Sequence, residues 1–186
     1  MPPSVKITKE DIINTAMELV RKNGEDSINA RAIASALGCS TQPVFSNFAS
    51  MVEVREAVME AAEELCMEYS KAEMEKGEYP TYKATGMGYI RFAKEEKELF
   101  RLIYMRDRSA EQMAEENRYF NDMESFVQQY TGLTAEDSRL LHLEMWAFVH
   151  GIATMYATGF LDLDRELVSK MLSDAYLGLK SRYEGV

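Results

Sequence analysis

An uncharged stretch of eleven residues, GCSTQPVFSNF over Gly38–Phe48, interrupts a chain of which 28% is charged. Its hydroxyl and amide side chains can donate and accept hydrogen bonds without carrying charge. Gln or Asn can hold adenine through two hydrogen bonds, and Ser or Thr can contact any base edge. The side chains of this kind are Thr41, Gln42, Ser46 and Asn47. The stretch is either a buried corner or a surface made to lie against base edges, and the flanking helices decide between the two.

Capping signals predict a helix before this stretch and another after it. Thr8 and Asp11 form a capping pair, and apolar residues then recur at helical spacing until Asn23-Gly24. Ser50 and Glu53 form a capping box for a long fourth helix that runs toward Lys76. Two helices therefore brace the stretch from either side.

Two short helices are predicted between these braces. Asn29 caps a helix over Ala30–Leu37, and Gly38 ends it. Ser40 is expected to cap the next helix, which extends to about Asn47 and has Pro43 in its first turn. A helix, a glycine turn and a second short helix make a helix-turn-helix unit, whose second helix enters the DNA major groove.

With this unit in place, the segment INARAIASALGCSTQPVFSNFASMVEVREAV, Ile28–Val58, resembles the TetR family of transcriptional regulators. The positions that match the family pattern are Arg31, Ile33, Ala34, Gly38, Ser40 and Phe48. Phe45 stands where the family usually has tyrosine, and Met51 where it usually has lysine, which removes one phosphate contact. The N-terminus of the fourth helix is expected to attract a phosphate through its free N–H groups. The resemblance implies these DNA-contacting residues: Arg31, Thr41, Gln42, Phe45, Ser46, Asn47 and Lys6.

The net charge of −10 is spread unevenly along the chain. The first 57 residues hold six basic and seven acidic groups, so nearly all of the negative charge lies beyond them. Because the head is almost neutral, we expect electrostatic attraction to contribute only modestly to its binding of DNA. We predict a DNA-binding domain over residues 1–50 and a helical ligand-binding and dimerisation domain over residues 51–186.

Five further helices are predicted in the larger domain. Their expected limits are 81–95, 97–106, 110–131, 134–159 and 164–183. The fold class is therefore all-α, with about nine helices in total and short loops typical of a bundle. The uncharged segment Met145–Leu161 has seventeen residues, fewer than the roughly twenty that cross a bilayer, so no membrane partner is predicted. Cys39 and Cys66 lack metal-site spacing and no secretory leader is visible, which indicates reduced thiols in a cytoplasmic protein.

A second resemblance lies in WAFVHGIATM, Trp146–Met155, whose Trp-x-x-x-His-Gly sequence is similar to the ligand-binding domain of one TetR subgroup. In that family the last two helices of each subunit form a four-helix dimer interface. Small residues let helices approach closely, so both helices suit such a role. The residues expected at the interface are Gly151, Thr154, Thr158, Met171, Ala175 and Gly178. The alternative is a stripe that packs only within one subunit.

Aromatic residues and methionines give the larger domain an adaptable apolar interior. We predict a small apolar or aromatic effector, contacted by Tyr89, Phe92, Tyr104, Met123, Phe126, Trp146 and His150. The alternative is that these side chains are core. His142 and His150 lie eight residues apart, too far for a helical metal pair, so no metal and no other cofactor is predicted.

The sequence thus predicts a homodimeric repressor that binds a palindromic DNA operator and is released by a ligand. An enzyme is disfavoured because the sequence has no phosphate loop, nucleophile elbow or metal-ligand cluster. The alternative function is a helical sensor or adaptor that has lost sequence-specific DNA binding.

Overall fold

The computed structural model describes residues 7–107 and 125–183. Within them the chain forms nine helical segments, two short 3-10 turns and no strand, which confirms the predicted all-α class. The helices are α1 (Lys9–Asn23), α2 (Ala30–Ala36), α3 (Gln42–Asn47), α4 (Met51–Lys76), α5 (Thr81–Glu95), α6 (Lys97–Tyr104), α7 (described over 125–131), α8 (Ala135–Thr158) and α9 (Arg165–Lys180). The 3-10 turns are Glu25–Ser27 and Ser181–Tyr183.

Helix limits predicted from local signals agree closely with the observed ones. The prediction 81–95 matches α5, and α8 and α9 each begin one residue after the predicted start. The predicted helix 110–131 is described only over 125–131, and the rest of it lies outside the described residues. Short-range capping chemistry therefore fixes most helix ends.

The capping interactions around the first three helices confirm two predictions and correct one. Thr8 and Asp11 form the expected box: the Thr8 N–H donates to Asp11 Oδ2 at 2.8 Å, and the Asp11 N–H donates to Thr8 Oγ1 at 3.1 Å. Asn29 Oδ1 accepts from the backbone of α2, as predicted. Ser40 does not cap α3, because Thr41 holds the cap position and no side chain accepts a hydrogen bond there. Pro43, in the first turn, lacks one of the N–H groups that a cap would satisfy.

The described residues fall into two compact units. The first contains the described part of Met1–Cys66 together with Glu96–Arg106, and therefore includes α6 as well as the helix-turn-helix. The second contains Met67–Glu95 and the described part of 107–186. The functional boundary at residue 50 stays a prediction.

An apolar core holds the first unit together. Arg21 on α1 adds an ion pair to Glu96, at the start of α6, through two hydrogen bonds of 2.7 and 3.0 Å. Burial of apolar side chains supplies most of the stabilisation of such a unit. The fully or almost fully buried residues include Ile12, Ala16, Val20, Ile33, Val44, Phe48, Val54, Val58, Leu99, Phe100 and Ile103.

The two cysteines of the first unit are free thiols in different surroundings. Cys66 is buried on α4 and accepts a hydrogen bond from Tyr104 Oη at 3.8 Å. Burial raises the pKa of the Cys66 thiol to about 12. Cys39 is half-buried in the turn between α2 and α3. Of the two thiols, Cys39 is therefore the one that solvent can reach.

In the second unit, α5 packs against α4 and α8 at two glycines. A Cβ atom on Gly88 would lie 2.4 Å from the Ser70 Cα atom of α4, so any side chain would collide with backbone. A Cβ atom on Gly86 would lie 3.3 Å from Val149 Cγ2 on α8. Gly88 thus permits a close approach of two helices that alanine would prevent.

A buried carboxylate joins three helices of the second unit. Glu73 on α4 is fully buried and accepts from Lys76 at 2.7 Å, from Arg91 on α5, and from Arg165 on α9 at 2.9 Å. Arg165 also pairs with Glu78 at 2.7 Å. Burial opposes ionisation of Glu73, but the hydrogen bonds from Arg165 and Lys76 outweigh it and lower its pKa to about 2. Glu73 therefore carries its charge at neutral pH and links α4, α5 and α9.

Candidate functional sites

The α3 helix presents an uncharged face outward. Val44 is completely buried and Phe48 nearly so, and these two anchor the helix to the core of the first unit. On the opposite side Gln42 and Ser46 are exposed, and 52% of Phe45 is exposed. An apolar ring so exposed on a small helix suits contact with another surface. The helix can therefore offer one ring and two polar side chains to a partner.

The other residues predicted to contact DNA differ in exposure. Arg31 is exposed near the start of α2, and Thr41 is half-buried at the cap of α3. Lys6 lies outside the described residues. Lys9 is exposed but has an acidic neighbour, since its Nζ lies 3.7 Å from a carboxylate oxygen of Glu53.

Asn47 already has a structural role that sequence reasoning missed. Its side-chain Nδ2 donates to the Pro43 carbonyl at 2.8 Å and to the Ile7 carbonyl at 3.3 Å. Both amide hydrogens can be used in this way, which leaves Oδ1 as the remaining polar atom of the side chain. Asn47 therefore ties the end of α3 to the segment before α1, and reading a base through Nδ2 requires these bonds to break.

The N-terminus of α4 is less available to a phosphate than its sequence indicates. Half of the predicted capping box is present: Ser50 Oγ accepts from the Glu53 N–H at 3.3 Å, whereas Glu53 Oε2 accepts from the N–H of Ala49, the residue before the cap, at 2.6 Å. The Glu53 N–H is thus occupied, and the Glu53 carboxylate lies beside the start of the helix. Negative charge at this end stabilises the helix but repels an incoming phosphate.

In the second unit, two tyrosine–histidine pairs connect α5 and α8. Tyr89 Oη lies 2.9 Å from His150 Nδ1, and Tyr82 Oη lies 3.1 Å from His142 Nδ1. Trp146 stacks on His150, with ring centroids 5.0 Å apart and an angle of 12° between planes. Burial lowers the pKa of both imidazoles, so both are neutral at pH 7.

The structure thus brings three of the predicted effector-contacting residues, Tyr89, Trp146 and His150, into one cluster. Phe126 is half-buried on α7 and lies beside the Tyr82–His142 pair, since its ring centroid is 6.3 Å from that of Tyr82. The remaining residues of the predicted set have other positions. Phe92 is fully buried edge-on to Tyr69, Tyr104 belongs to the first unit, and Met123 lies outside the described residues.

Sequence reasoning did not include Tyr82, Tyr176 or Ser138 among the effector-contacting residues, and it weighed His142 only as a metal ligand. The signal was nevertheless present. Tyr82 and Tyr89 are seven residues apart on α5, and the two histidines are eight apart on α8, which is about two helical turns in each case. The two helices therefore repeat the same pair along their contact.

An uncovered apolar face runs along α8 and α9. The predicted interface residues Ala175 and Gly178 line an open, mostly apolar groove of about 500 Å³. The other lining residues are Ala147, Phe148 and Leu179 and the carboxylates Glu144 and Asp174. A Cβ atom on Gly151 or Gly178 would meet nothing within 4 Å in the described residues. Two apolar side chains of these helices are exposed: Phe148, in the groove, is 36% exposed, and Leu177, next to Gly178 in sequence, is 62% exposed. Such a surface suits helix–helix contact with another chain.

Comparison with known proteins places the chain in a family. Residues 82–175, half of the chain, match the family model for the tetracyclin repressor-like C-terminal domain. The chain belongs to the TetR family of transcriptional regulators. The family match covers nearly all of α5, α6, the described part of α7, α8 and most of α9. The helix-turn-helix residues identified above lie outside the matched range.

Two solved structures share the fold of this TetR-family regulator. A TetR-like transcriptional regulator from Rhodococcus sp. RHA1 aligns with a TM-score of 0.69 at 13% identity, covering 95% of this chain and 96% of its own. A protein of unknown function from the same organism aligns with a TM-score of 0.75 at 22% identity, covering 96% and 98%. No curated protein matches the sequence.

A metal site and a membrane-spanning helix are both absent from the described part of this TetR-family chain. Among residues 7–107 and 125–183, no three His, Cys, Asp or Glu side chains are grouped closely enough to hold a metal ion. In the same ranges, every helix is too short or too polar to traverse a lipid bilayer.

Proposed function

We propose that this TetR-family regulator is a cytoplasmic homodimeric repressor that binds a palindromic operator and releases it when a small uncharged effector binds. The observation that carries the DNA-binding part is the exposed, uncharged face of α3, fixed from behind by Val44 and Phe48. A helix so held can enter the major groove without bringing negative charge to the phosphates.

On the operator, the exposed residues of the head divide by chemistry. Gln42 and Ser46 contact base edges, since their side chains are uncharged and exposed on α3. Arg31 and the ring of Phe45 position the head on the sugar-phosphate backbone. Thr41, Asn47 and Lys6 complete the contact set, with Asn47 serving first as the structural link to Ile7.

The dimer forms through α8 and α9. The open groove beside Gly178 and the exposed Leu177 support this interface, because the described residues of one chain leave both uncovered. Gly151, Thr154, Thr158, Met171 and Ala175 belong to the same contact. A two-fold dimer matches an operator whose half-sites lie about 34–36 Å apart, one helical turn, or a multiple of it.

Sedimentation velocity of a Gly178→Glu variant tests the dimer. A carboxylate in an apolar interface is not solvated, so the variant should sediment as a monomer at concentrations where the native protein is a dimer. Gln129→Glu adds the same charge at an exposed site on α7 and should remain dimeric. Dimers of both variants would place the interface elsewhere.

The effector is a small apolar or aromatic molecule that binds in the second unit. The cluster of Tyr89, Trp146 and His150 supports this role, since it combines ring surfaces with hydrogen-bonding atoms and carries no charge. Binding there favours a conformation of the dimer with weaker affinity for the operator.

A sensor or adaptor without DNA binding is the second candidate. Met51 replaces a common phosphate-binding lysine, and Glu53 puts a carboxylate at the N-terminus of α4. Both features weaken attraction to DNA. The uncharged outer face of α3 favours the repressor nevertheless.

Selection of bound fragments from the source organism's genomic DNA, at low and at physiological salt, separates the two functions. The native protein should enrich a short palindrome, and a Gln42→Ala/Ser46→Ala variant should lose it while retaining the native melting temperature. Exposed substitutions of this kind change stability little. Failure to enrich any sequence at either salt concentration, with and without added aromatic ligands, would favour the adaptor.

A further inference from the structure

A buried hydroxyl on α8 lacks a hydrogen-bond partner in the described part of the chain. Ser138 is completely buried, and its Oγ has no hydrogen-bond partner among residues 7–107 and 125–183. Leaving a buried polar atom unsatisfied costs free energy, so most such atoms in folded proteins have a partner. The first turn of α8 therefore contains an orphan donor and acceptor that destabilises the protein by itself.

The Ser138 hydroxyl lies on the same face of α8 as His142, which pairs with Tyr82. Ser138 precedes His142 by four residues, and side chains at this spacing are neighbours on a helix. His142 is likewise buried, and its Nδ1 is matched with Tyr82 Oη at 3.1 Å. Three oxygen and nitrogen functions thus gather at one end of the contact between α5 and α8.

Aromatic rings surround this polar group. The Tyr82 ring centroid lies 6.0 Å from that of Tyr130 and 6.1 Å from that of Tyr176, and Phe126 lies at a similar distance. Rings at such separations pack in tilted or edge-to-face contacts, and a ligand ring can make contacts of the same kind. The surroundings therefore suit an aromatic molecule better than an aliphatic one.

The buried face of α8 carries no ionised side chain. Its members are Ser138, Leu141, His142, Met145, Ile152, Ala153, Tyr156 and Ala157. Burial lowers the pKa of His142, so this imidazole is neutral as well. An ion without a charged partner is expensive to bury, whereas a neutral oxygen that meets a waiting hydroxyl is not.

We infer that Ser138, beside the Tyr82–His142 pair, is the polar anchor of a binding site at the Tyr82 end of the contact between α5 and α8, and that it binds the hydroxyl or carbonyl oxygen of an uncharged aromatic ligand. The inference rests on the proposed effector-responsive function and narrows its ligand class. Ser138 donates to a carbonyl oxygen, or donates and accepts with a hydroxyl. Bound ligand satisfies the orphan hydroxyl and removes its cost.

Calorimetric titration with four matched probes tests the anchor: biphenyl, para-phenylphenol, para-acetylbiphenyl and biphenyl-para-carboxylate. The hydroxyl and carbonyl probes should bind about tenfold more tightly than biphenyl, as expected for one well-formed hydrogen bond. The carboxylate should bind most weakly. Quenching of Trp146, the single tryptophan of the chain, gives a second readout.

A Ser138→Ala variant should bind all three neutral probes within about twofold of one another, and its ligand-free melting temperature should rise because an unsatisfied buried group is removed. Ser173→Ala is the matched control. Its hydroxyl accepts from Lys83 at 2.8 Å, so that variant should melt lower and keep the hydroxyl preference.

Equal binding of biphenyl and para-phenylphenol by the native protein would overturn the anchor, as would a preference that survives in Ser138→Ala. A lower melting temperature of free Ser138→Ala would show that the hydroxyl supports the fold instead. Binding of none of the probes would reject the aromatic ligand class. None of these measurements involves DNA, so a missing operator would contradict the proposed repressor without affecting them.

Discussion

Arg21 of α1 and Glu96 at the start of α6 form a two-pronged ion pair across 75 positions of sequence, with hydrogen bonds of 2.7 and 3.0 Å. The pair is partly buried, and hydrogen bonding to Glu96 raises the pKa of Arg21. It joins the first helix of the head to a helix that sequence reasoning assigned to the larger domain.

Breaking this ion pair should destabilise the first unit by about 1 kcal/mol, because partial burial makes it stronger than a surface pair. A double-mutant cycle with Arg21→Met and Glu96→Gln, measured by urea unfolding, isolates the interaction. Lys22→Met, an exposed neighbour, controls for the loss of one positive charge. If the effects of the two single substitutions simply add, the ion pair contributes no interaction free energy to stability.

Glu73→Gln should lower the free energy of unfolding at pH 7 by about 2 kcal/mol, since it leaves Arg91 and Arg165 without their shared carboxylate. Exposure of Arg165 to solvent keeps the loss below that of a fully buried pair. Glu75→Gln, on the same helix but exposed, should change stability by less than about 0.5 kcal/mol.

The same carboxylate predicts a pH dependence. The folded-state pKa of Glu73, about 2, lies below the ordinary value of 4.5. Its contribution is therefore fully present above pH 4.5 and lost as the pH falls toward 2. The gap in unfolding free energy between native protein and Glu73→Gln should narrow over this interval. A gap that stays constant down to pH 2 would show that Glu73 is not the titrating group.

Gly88→Ala should destabilise the second unit by about 1–3 kcal/mol, because the added methyl group would overlap the α4 backbone at Ser70. Gly86→Ala is the internal comparison. There the nearest atom is a methyl group of Val149, which can move, and alanine improves helix propensity by about 1 kcal/mol. Thermal unfolding of both variants should rank Gly88→Ala well below Gly86→Ala.

Glu53→Gln should strengthen operator binding. Glutamine can still accept from the Ala49 N–H, so this hydrogen bond survives while the negative charge disappears. We expect affinity to rise several-fold at low salt and less at high salt, where the carboxylate is screened. Fluorescence anisotropy over a salt series measures both. A salt-independent gain, or a weaker affinity, would show that Glu53 faces away from the phosphates.

Local chemistry explains what the sequence predicted well. The Thr8–Asp11 box and the caps at Asn29 and Ser50 depend on residues three apart, so they can be recognised without tertiary structure. The buried positions of Val44 and Phe48 follow from helical spacing for the same reason.

Long-range packing accounts for what the sequence could not reveal. Nothing local links Arg21 to Glu96, or Asn47 to the Ile7 carbonyl 40 positions away. Ser138 is a stronger case, because its importance lies in a missing partner, and only the packed structure shows that it is buried. The sequence therefore predicts where the candidate sites lie better than it predicts which residues form them.

Because one thiol is accessible and the other is buried, the native chain can be labelled at a single cysteine. Cys66 is buried and stays protonated, so at neutral pH a maleimide reagent should react only with Cys39. A dye attached there would stand in the turn between α2 and α3 without any engineered cysteine. In the proposed dimer, energy transfer between the dyes of two labelled subunits would then measure the distance between the two helix-turn-helix units, with and without an added ligand.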